Sequence, residues 1–255
     1  MPRARKRHVQ QELKLGRGGS RGGSRRGKRG RVGRPPKGVR SSERHEKRAA
    51  LRKSEPVHVA IRTVEAIRNL RNRDTYHAIR KALVVTFLRT NFRIVHVSLQ
   101  HNHVHLIVEA DDRMALARGM QAFQISAAKH LNAAVSKRAG RRGKLRRRGM
   151  VFADRYHAVI LRSPRQTRNA LAYVLNNWRK HRADRGSEWR VDPYSSAVSF
   201  DGWRDLGVAS SEMFPAYYAR LPVWKPRTWL LRTGWRRHGL IRPTEVPSEE
   251  AVVIR

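Results

Sequence analysis

The sequence predicts an α+β domain, a four-stranded antiparallel sheet with helices packed on it. Three observations predict it. Stretches with strand-like alternation or apolar β-branched character lie at 56–62, 93–99, 103–109 and 151–161. Stretches with helical spacing lie at 75–92, 113–136 and 165–182. Composition shifts near residue 55 and again after 182, which divides the chain into a basic arm (1–54), a folded core (55–182) and a Trp/Arg-rich extension (183–255).

The arm comes first. The chain has 57 Lys and Arg against 19 Asp and Glu, a formal net charge of +38. Residues 1–53 hold 20 of those cations against Glu12, Glu43 and Glu46, so the remainder is strongly basic too. Such a balance predicts a polyanionic partner, and nucleic acid fits better than a membrane surface because no basic amphipathic helix with a broad apolar face dominates the chain. The stretch 16–38 is rich in Gly, Arg and Ser and nearly devoid of apolar residues, which predicts disorder. Arg31 and Arg34, in Arg29-Gly30-Arg31-Val32-Gly33-Arg34-Pro35, admit two readings, a minor-groove segment similar to an AT-hook or a nonspecific polybasic arm. Either adds salt-sensitive phosphate attraction.

The start of the chain is not followed by an apolar stretch of the secretory type, and no apolar run is long enough to span a bilayer, which predicts a cytoplasmic, nucleoid-associated protein. Without cysteine, thiolate metal sites, disulfides and Cys nucleophiles are excluded.

In the core, 56–62 alternates and forms the first strand. Tyr76, Ile79, Leu83 and Phe87 recur at helical spacing over 75–92, with Asp74 or Thr75 as the cap. Residues 93–99 form a second strand and, after a turn at 100–102, 103–109 a third. Asp111-Asp112 precedes a long helix with Met120, Phe123, Ile125 and Leu131 as its apolar positions. A fourth strand covers 151–161, and Pro164 opens the last helix. The order β-α-β-β-α-β with an added helix is the ferredoxin-like topology, in which the first and third strands are central and one sheet face is left for the added helix.

The third strand carries Gln100-His101-Asn102-His103-Val104-His105-Leu106-Ile107-Val108-Glu109. Alternation puts the histidines on one face and Val104, Leu106 and Val108 on the other. Two neutral imidazoles on a rigid strand begin a divalent metal site. In the last helix Leu171, Val174, Leu175 and Trp178 form the buried stripe, and Tyr173 and Asn177, four apart, share a second face. Packed over the open sheet face, they would meet His103 and His105. Such a set suits metal-assisted phosphoryl transfer with the tyrosine oxygen as nucleophile.

Asn102-His103-Val104-His105-Leu106 resembles the HUH motif (histidine, hydrophobic residue, histidine) of single-tyrosine transposases. With Phe152-Ala153-Asp154-Arg155-Tyr156-His157 and Ala172-Tyr173-Val174-Leu175-Asn176-Asn177-Trp178, the block over 57–181 is similar to REP-associated tyrosine transposases. The resemblance implies His103 and His105 as ligands of Mg or Mn, Asn177 as a third ligand and Tyr173 as the nucleophile. It also implies a substrate of single-stranded DNA near imperfect hairpins, cut to a 5′-phosphotyrosine and a free 3′-hydroxyl. Two positions depart from the family's pattern: Gln100-His101 where a proline often stands, and Trp178 where one often follows the asparagine. His101 is a rival ligand and Tyr156 a rival nucleophile.

Between the long helix and the fourth strand, Arg138, Arg141, Arg142, Lys144, Arg146, Arg147 and Arg148 are packed around glycines, which predicts phosphate binding. All six Trp lie from 178 onward, so 192–203 and 227–240 are expected to dock on the core or on nucleic acid. A non-enzymatic nucleic-acid-binding protein using the same sheet, and a replication or mobilisation nuclease of the HUH type, are the competing readings. Whether the protein acts as a monomer or a homodimer stays open at this level.

Overall fold

The computed structural model describes residues 49–140, 143–205 and 219–247. Four strands, β1 (Val57–Arg62), β2 (Phe92–Leu99), β3 (His103–Ala110) and β4 (His157–Ile160), form one antiparallel sheet in the order β2-β3-β1-β4. The helices are α1 (Arg73–Val84), α2 (Arg113–Arg138), α3 (Pro164–Lys180) and a single turn, α4 (Trp229–Arg232). The ferredoxin-like α+β prediction holds, with β1 and β3 at the centre.

The sheet is covered on both faces, which explains why every residue of β2 is buried. On one face Val57, Val59, Ile61, Val104, Leu106 and Val108 join Tyr76, Ile79 and Leu83 of α1 and Met120, Phe123 and Leu131 of α2. On the other, Ile107 packs with Leu171, Val174 and Leu175 of α3 and with Trp203 and Trp235. A bulge between Ile94 and His96 shifts the β2 register, so Ile94 and Val97 face α1 and α2 while Val95 faces α3. Helix α2 lies so close to β2 that a Cβ on Gly119 would sit 2.1 Å from the Phe92 ring.

Several boundaries differ from the sequence reading. Asn72, not Asp74 or Thr75, caps α1, its Oδ1 accepting from Thr75 N at 3.2 Å. Helix α1 stops at Val84 and tightens into a 3₁₀ turn over Val85–Leu88, and Phe92 opens β2 rather than ending the helix. The tighter turn rotates Phe87 out of the buried stripe, where it is 39% exposed and stacks on Trp224 at 4.7 Å. Ile125 is 64% exposed, because it follows Phe123 by two residues, about 200° around the helix at 3.6 residues per turn. The fourth strand is only four residues long; Phe152 makes an isolated bridge to Thr63.

The extension packs on the core. Asp192 receives a bidentate pair from Arg71 at 2.9 and 2.8 Å. Ser196 Oγ accepts from Val97 N at 3.1 Å, and Leu99 N donates to Tyr194 O at 2.9 Å. Asn176 Nδ2 on α3 donates to Arg242 O at 2.9 Å. At the far end of β3, Glu109 is wholly buried and accepts from Arg93 Nε (3.1 Å), Arg227 N (2.9 Å) and Thr228 N (2.7 Å). Among the described residues, no helix is long and apolar enough to cross a membrane.

Candidate active site

Strand alternation places His103 and His105 on the face under α3, as expected, since Val104 and Leu106 belong to the opposite core. Ser163 caps α3, its Oγ accepting from Gln166 N at 3.2 Å, and Pro164 occupies the first turn. The predicted stripe, Leu171, Val174, Leu175 and Trp178, is buried. That packing sets the rotation of α3 and brings Tyr173 to the histidines. The Tyr173 ring meets the His105 ring edge-on at 5.1 Å and the His58 ring at 5.8 Å. The His103 and His105 rings are 4.7 Å apart. His181, the C-cap of α3, lies 6.0 Å from the His103 ring, and Lys180 Nζ stands 5.4 Å from the Tyr173 centroid.

The imidazoles are prepared as neutral donors. Burial first, then the neighbouring His181, Arg62 and His101, pulls His103 down from 6.5 to about 4. Burial, reinforced by His58 and His103, holds His105 well below its ordinary value. His103 Nδ1 is 2.8 Å from Asn102 Oδ1; donating to that oxygen leaves a lone pair on Nε2. His58 Nε2 lies 3.2 Å from His105 Nδ1. When His105 donates there, its Nε2, buried and without a hydrogen-bond partner, has its lone pair free.

Asn177 supplies the test of whether a cation fits. It is fully buried on α3 one turn after Tyr173, and neither its Oδ1 nor its Nδ2 has a partner. A buried amide without partners is costly unless a ligand satisfies it. Two imidazole nitrogens and an amide oxygen fit a divalent ion that keeps further positions for water or phosphate. The mixed nitrogen and oxygen donors suit Mn better than Mg. Among the described residues, no three His, Asp or Glu side chains converge as a cage.

The site opens into a cleft of about 480 Å³ lined by Arg71, His101, Asn102, His103, His181 and Tyr194. The rivals are separated by position. His101 lies in the β2–β3 turn, exposed at the cleft. Tyr156 belongs to the core on the α1/α2 face, across the sheet from His103 and His105. The basic loop is only partly described. Arg141, Arg142, the Lys144 side chain, and Arg31 and Arg34 of the arm lie outside the described residues. Arg138, Arg146 and Arg148 are exposed. Arg147 instead ties the loop to α2: its guanidinium donates to Asn132 Oδ1 and to Met150 O, and its N donates to Ser136 Oγ.

Sequence reasoning missed His58, His181 and Lys180. The signal for His58 was present, because Val57-His58-Val59 puts it opposite two core valines on a central strand. His181 and Lys180 lie one and two turns past Asn177 and Tyr173, and only the packing of α3 shows what they reach.

Residues 56–177 match the family model described as Transposase IS200 like. This stretch is similar to the IS200-like transposases. The family is a class of DNA-cleaving enzymes, and the matched span ends at Asn177. A solved structure of a REP-associated tyrosine transposase bound to a REP hairpin is 19% identical, covering 60% of this chain and 82% of that one with a TM-score of 0.37. The comparison with curated proteins finds no match.

The buried imidazoles of this domain make it sensitive to acid. His58 is lowered to about 3 by burial and then by His157; His96 is lowered to about 4 by burial, with Asp201 opposing. Their folded values, like that of His103, lie below 6.5, so between pH 6.5 and 4 the unfolded chain binds more protons. Stability is therefore full above about pH 6.5 and falls toward pH 4, by up to about 1.4 kcal/mol per pH unit for each histidine. Urea denaturation at pH 7 and pH 5 measures this. Equal stability at both would mean that the imidazoles take up protons in the folded state as readily as in the unfolded chain.

Proposed function

We propose that this protein is an HUH-type single-tyrosine transposase that cleaves and rejoins single-stranded DNA beside hairpins. The observation that carries the reading is Tyr173 packed against His105, with the unpartnered amide of Asn177 one turn away. In the first step Tyr173 Oη attacks a backbone phosphorus and the bond from phosphorus to the 3′ oxygen breaks. The phenol loses its proton and the 3′ oxygen gains one. The products are a 5′-phosphotyrosine and a free 3′-hydroxyl, and one phosphodiester is exchanged for another. Rejoining reverses the step with a new 3′-hydroxyl, so no nucleotide cofactor is consumed.

His103, His105 and Asn177 would hold Mg or Mn, which when bound polarises the scissile phosphate. His58 orients His105 as an outer partner. The Lys180 ammonium, beside the Tyr173 ring, offsets charge on a non-bridging oxygen. Arg138, Arg146 and Arg148 contact the phosphates of the stem, with the arm adding nonspecific attraction.

The test incubates the protein with labelled hairpins from the sequences flanking its gene, with Mn²⁺ or with chelator, and maps the covalent link by mass spectrometry. The expected result is a metal-dependent, SDS-resistant adduct on Tyr173. An adduct on Tyr156, or hairpin binding with no adduct in any metal, overturns the reading, the latter in favour of a binding protein. In the same assay His105→Ala is expected to lose the adduct, and His58→Ala to lower metal affinity by about 10–100-fold.

A further inference from the structure

The matched domain ends at Asn177, yet the extension beyond it builds a surface that neither the core nor the proposed reaction uses. Residues 219–244 contain seven Lys or Arg and no Asp or Glu. Thr228 caps α4, its Oγ1 accepting from Leu231 N at 3.4 Å, and Leu230 and Leu231 turn inward. Trp229, on the outer side of the same turn, is 49% exposed, while Trp178, Trp203 and Trp235 are buried. Its ring lies on Gly234, where a Cβ would sit 2.7 Å from it, and the Arg237 guanidinium stands 4.9 Å from its centroid. Lys225, Arg227, Arg232 and Arg237 are exposed around it; Arg236 is engaged with Asp201 at 3.0 Å.

We infer that this surface is a second contact for single-stranded DNA, with a base stacked on Trp229 and the backbone phosphates on the surrounding cations. A half-exposed indole is apolar and costly to leave in water, and any base offers it a stacking face. The uncompensated positive charge favours a polyanion over an apolar or acidic-and-apolar protein partner. The location fits a strand that also enters the catalytic cleft. Glu109 binds the Arg227–Thr228 backbone at one end of β3, and His103 begins the other end. Six residue steps of strand separate them, about 20 Å at ~3.3 Å per step. That is roughly six nucleotides at the ~3.4 Å rise of stacked bases. The surface would hold the single strand flanking the hairpin while the scissile phosphate lies at Tyr173. The inference rests on the proposed single-stranded substrate, and its test reads binding alone.

The experiment uses the full chain carrying Tyr173→Phe, in chelator, so that no cleavage enters the readout. Fluorescence anisotropy compares a blunt hairpin with hairpins bearing flanks of roughly 3 and 12 nucleotides, shorter and longer than the ~20 Å span, on either the 5′ or the 3′ side. Trp229→Ala is expected to weaken binding of a long-flank hairpin by about 5- to 150-fold, the equivalent of one lost base stack, and to leave the blunt and short-flank hairpins within twofold. Trp229→Phe is expected to restore most of the loss. Bromodeoxyuridine placed along the long flank is expected to cross-link to Trp229 in the chain with its native tryptophan. Equal losses on all hairpins, no loss on any, or cross-links that never reach Trp229 overturn the inference. None of these outcomes depends on whether Tyr173 forms a covalent link.

Discussion

Tyr173→Phe is expected to remove the covalent DNA adduct, at least 10³-fold below the native chain, while hairpin affinity stays within about twofold. The substitution removes one oxygen and keeps the ring. That ring carries the packing: it meets His105 and His58 edge-on and lies beneath Lys180. The residue is 8% exposed at the face of α3, so Phe leaves no large cavity and the helix keeps its rotation. The expected signature is therefore a folded protein that binds DNA and metal but forms no link. Denaturing gels with labelled hairpin measure the adduct, and native gels measure binding. Tyr156 cannot take over without crossing the sheet, since it is buried in the core on the α1/α2 face. A residual adduct within tenfold of the native level would remove Tyr173 from the chemistry. Loss of hairpin binding along with the adduct would instead assign it to substrate positioning.

Much of the site was legible because it rests on short periods. Alternation alone put His103 and His105 on one face of β3, and the 3.6-residue repeat put Leu171, Val174, Leu175 and Trp178 inside, with Tyr173 against the His105 ring. What could not be read locally were features decided by distant partners. The β2 bulge that sends Val95 to the second core leaves no mark in a uniformly apolar strand. His58 belongs to the site because β1 pairs with β3 in a register that sets Ala60 opposite His105. The turn after α1 was misread because Phe87 continues a helical spacing that the backbone abandons at Val84, and its stacking partner Trp224 lies far along the chain. The extension is held by contacts of the same distant kind: Trp224 N donates to Ile94 O at 2.9 Å, and the Asp192 carboxylate answers Arg71.

Glu109→Ala is expected to destabilise the fold by about 3–5 kcal/mol, the range for removing one partner of a buried ion pair. The carboxylate and the Arg93 side chain are almost fully excluded from water, at 0% and 3% exposure. Alanine leaves the Arg93 guanidinium without its carboxylate, retaining the bond from Nη1 to Thr90 O at 3.0 Å. It also leaves Arg227 N and Thr228 N without the oxygens they donate to. Glu109→Gln should be milder, because one amide oxygen still accepts, although the charge on Arg93 stays unanswered. Urea denaturation at pH 7 gives the loss, and amide hydrogen exchange shows where it falls. The amides of 225–233 should exchange much faster in Glu109→Ala, with β1 and α2 protected to the limit of global stability. The same variant should bind long-flank hairpins more weakly than blunt ones, since the turn that presents Trp229 is anchored at this carboxylate. A loss below about 1 kcal/mol would mean that water reaches Arg93 once the carboxylate is gone. Unchanged exchange at 225–233 would show that the second core, through Leu231 and Trp235, holds α4 without the buried charge pair.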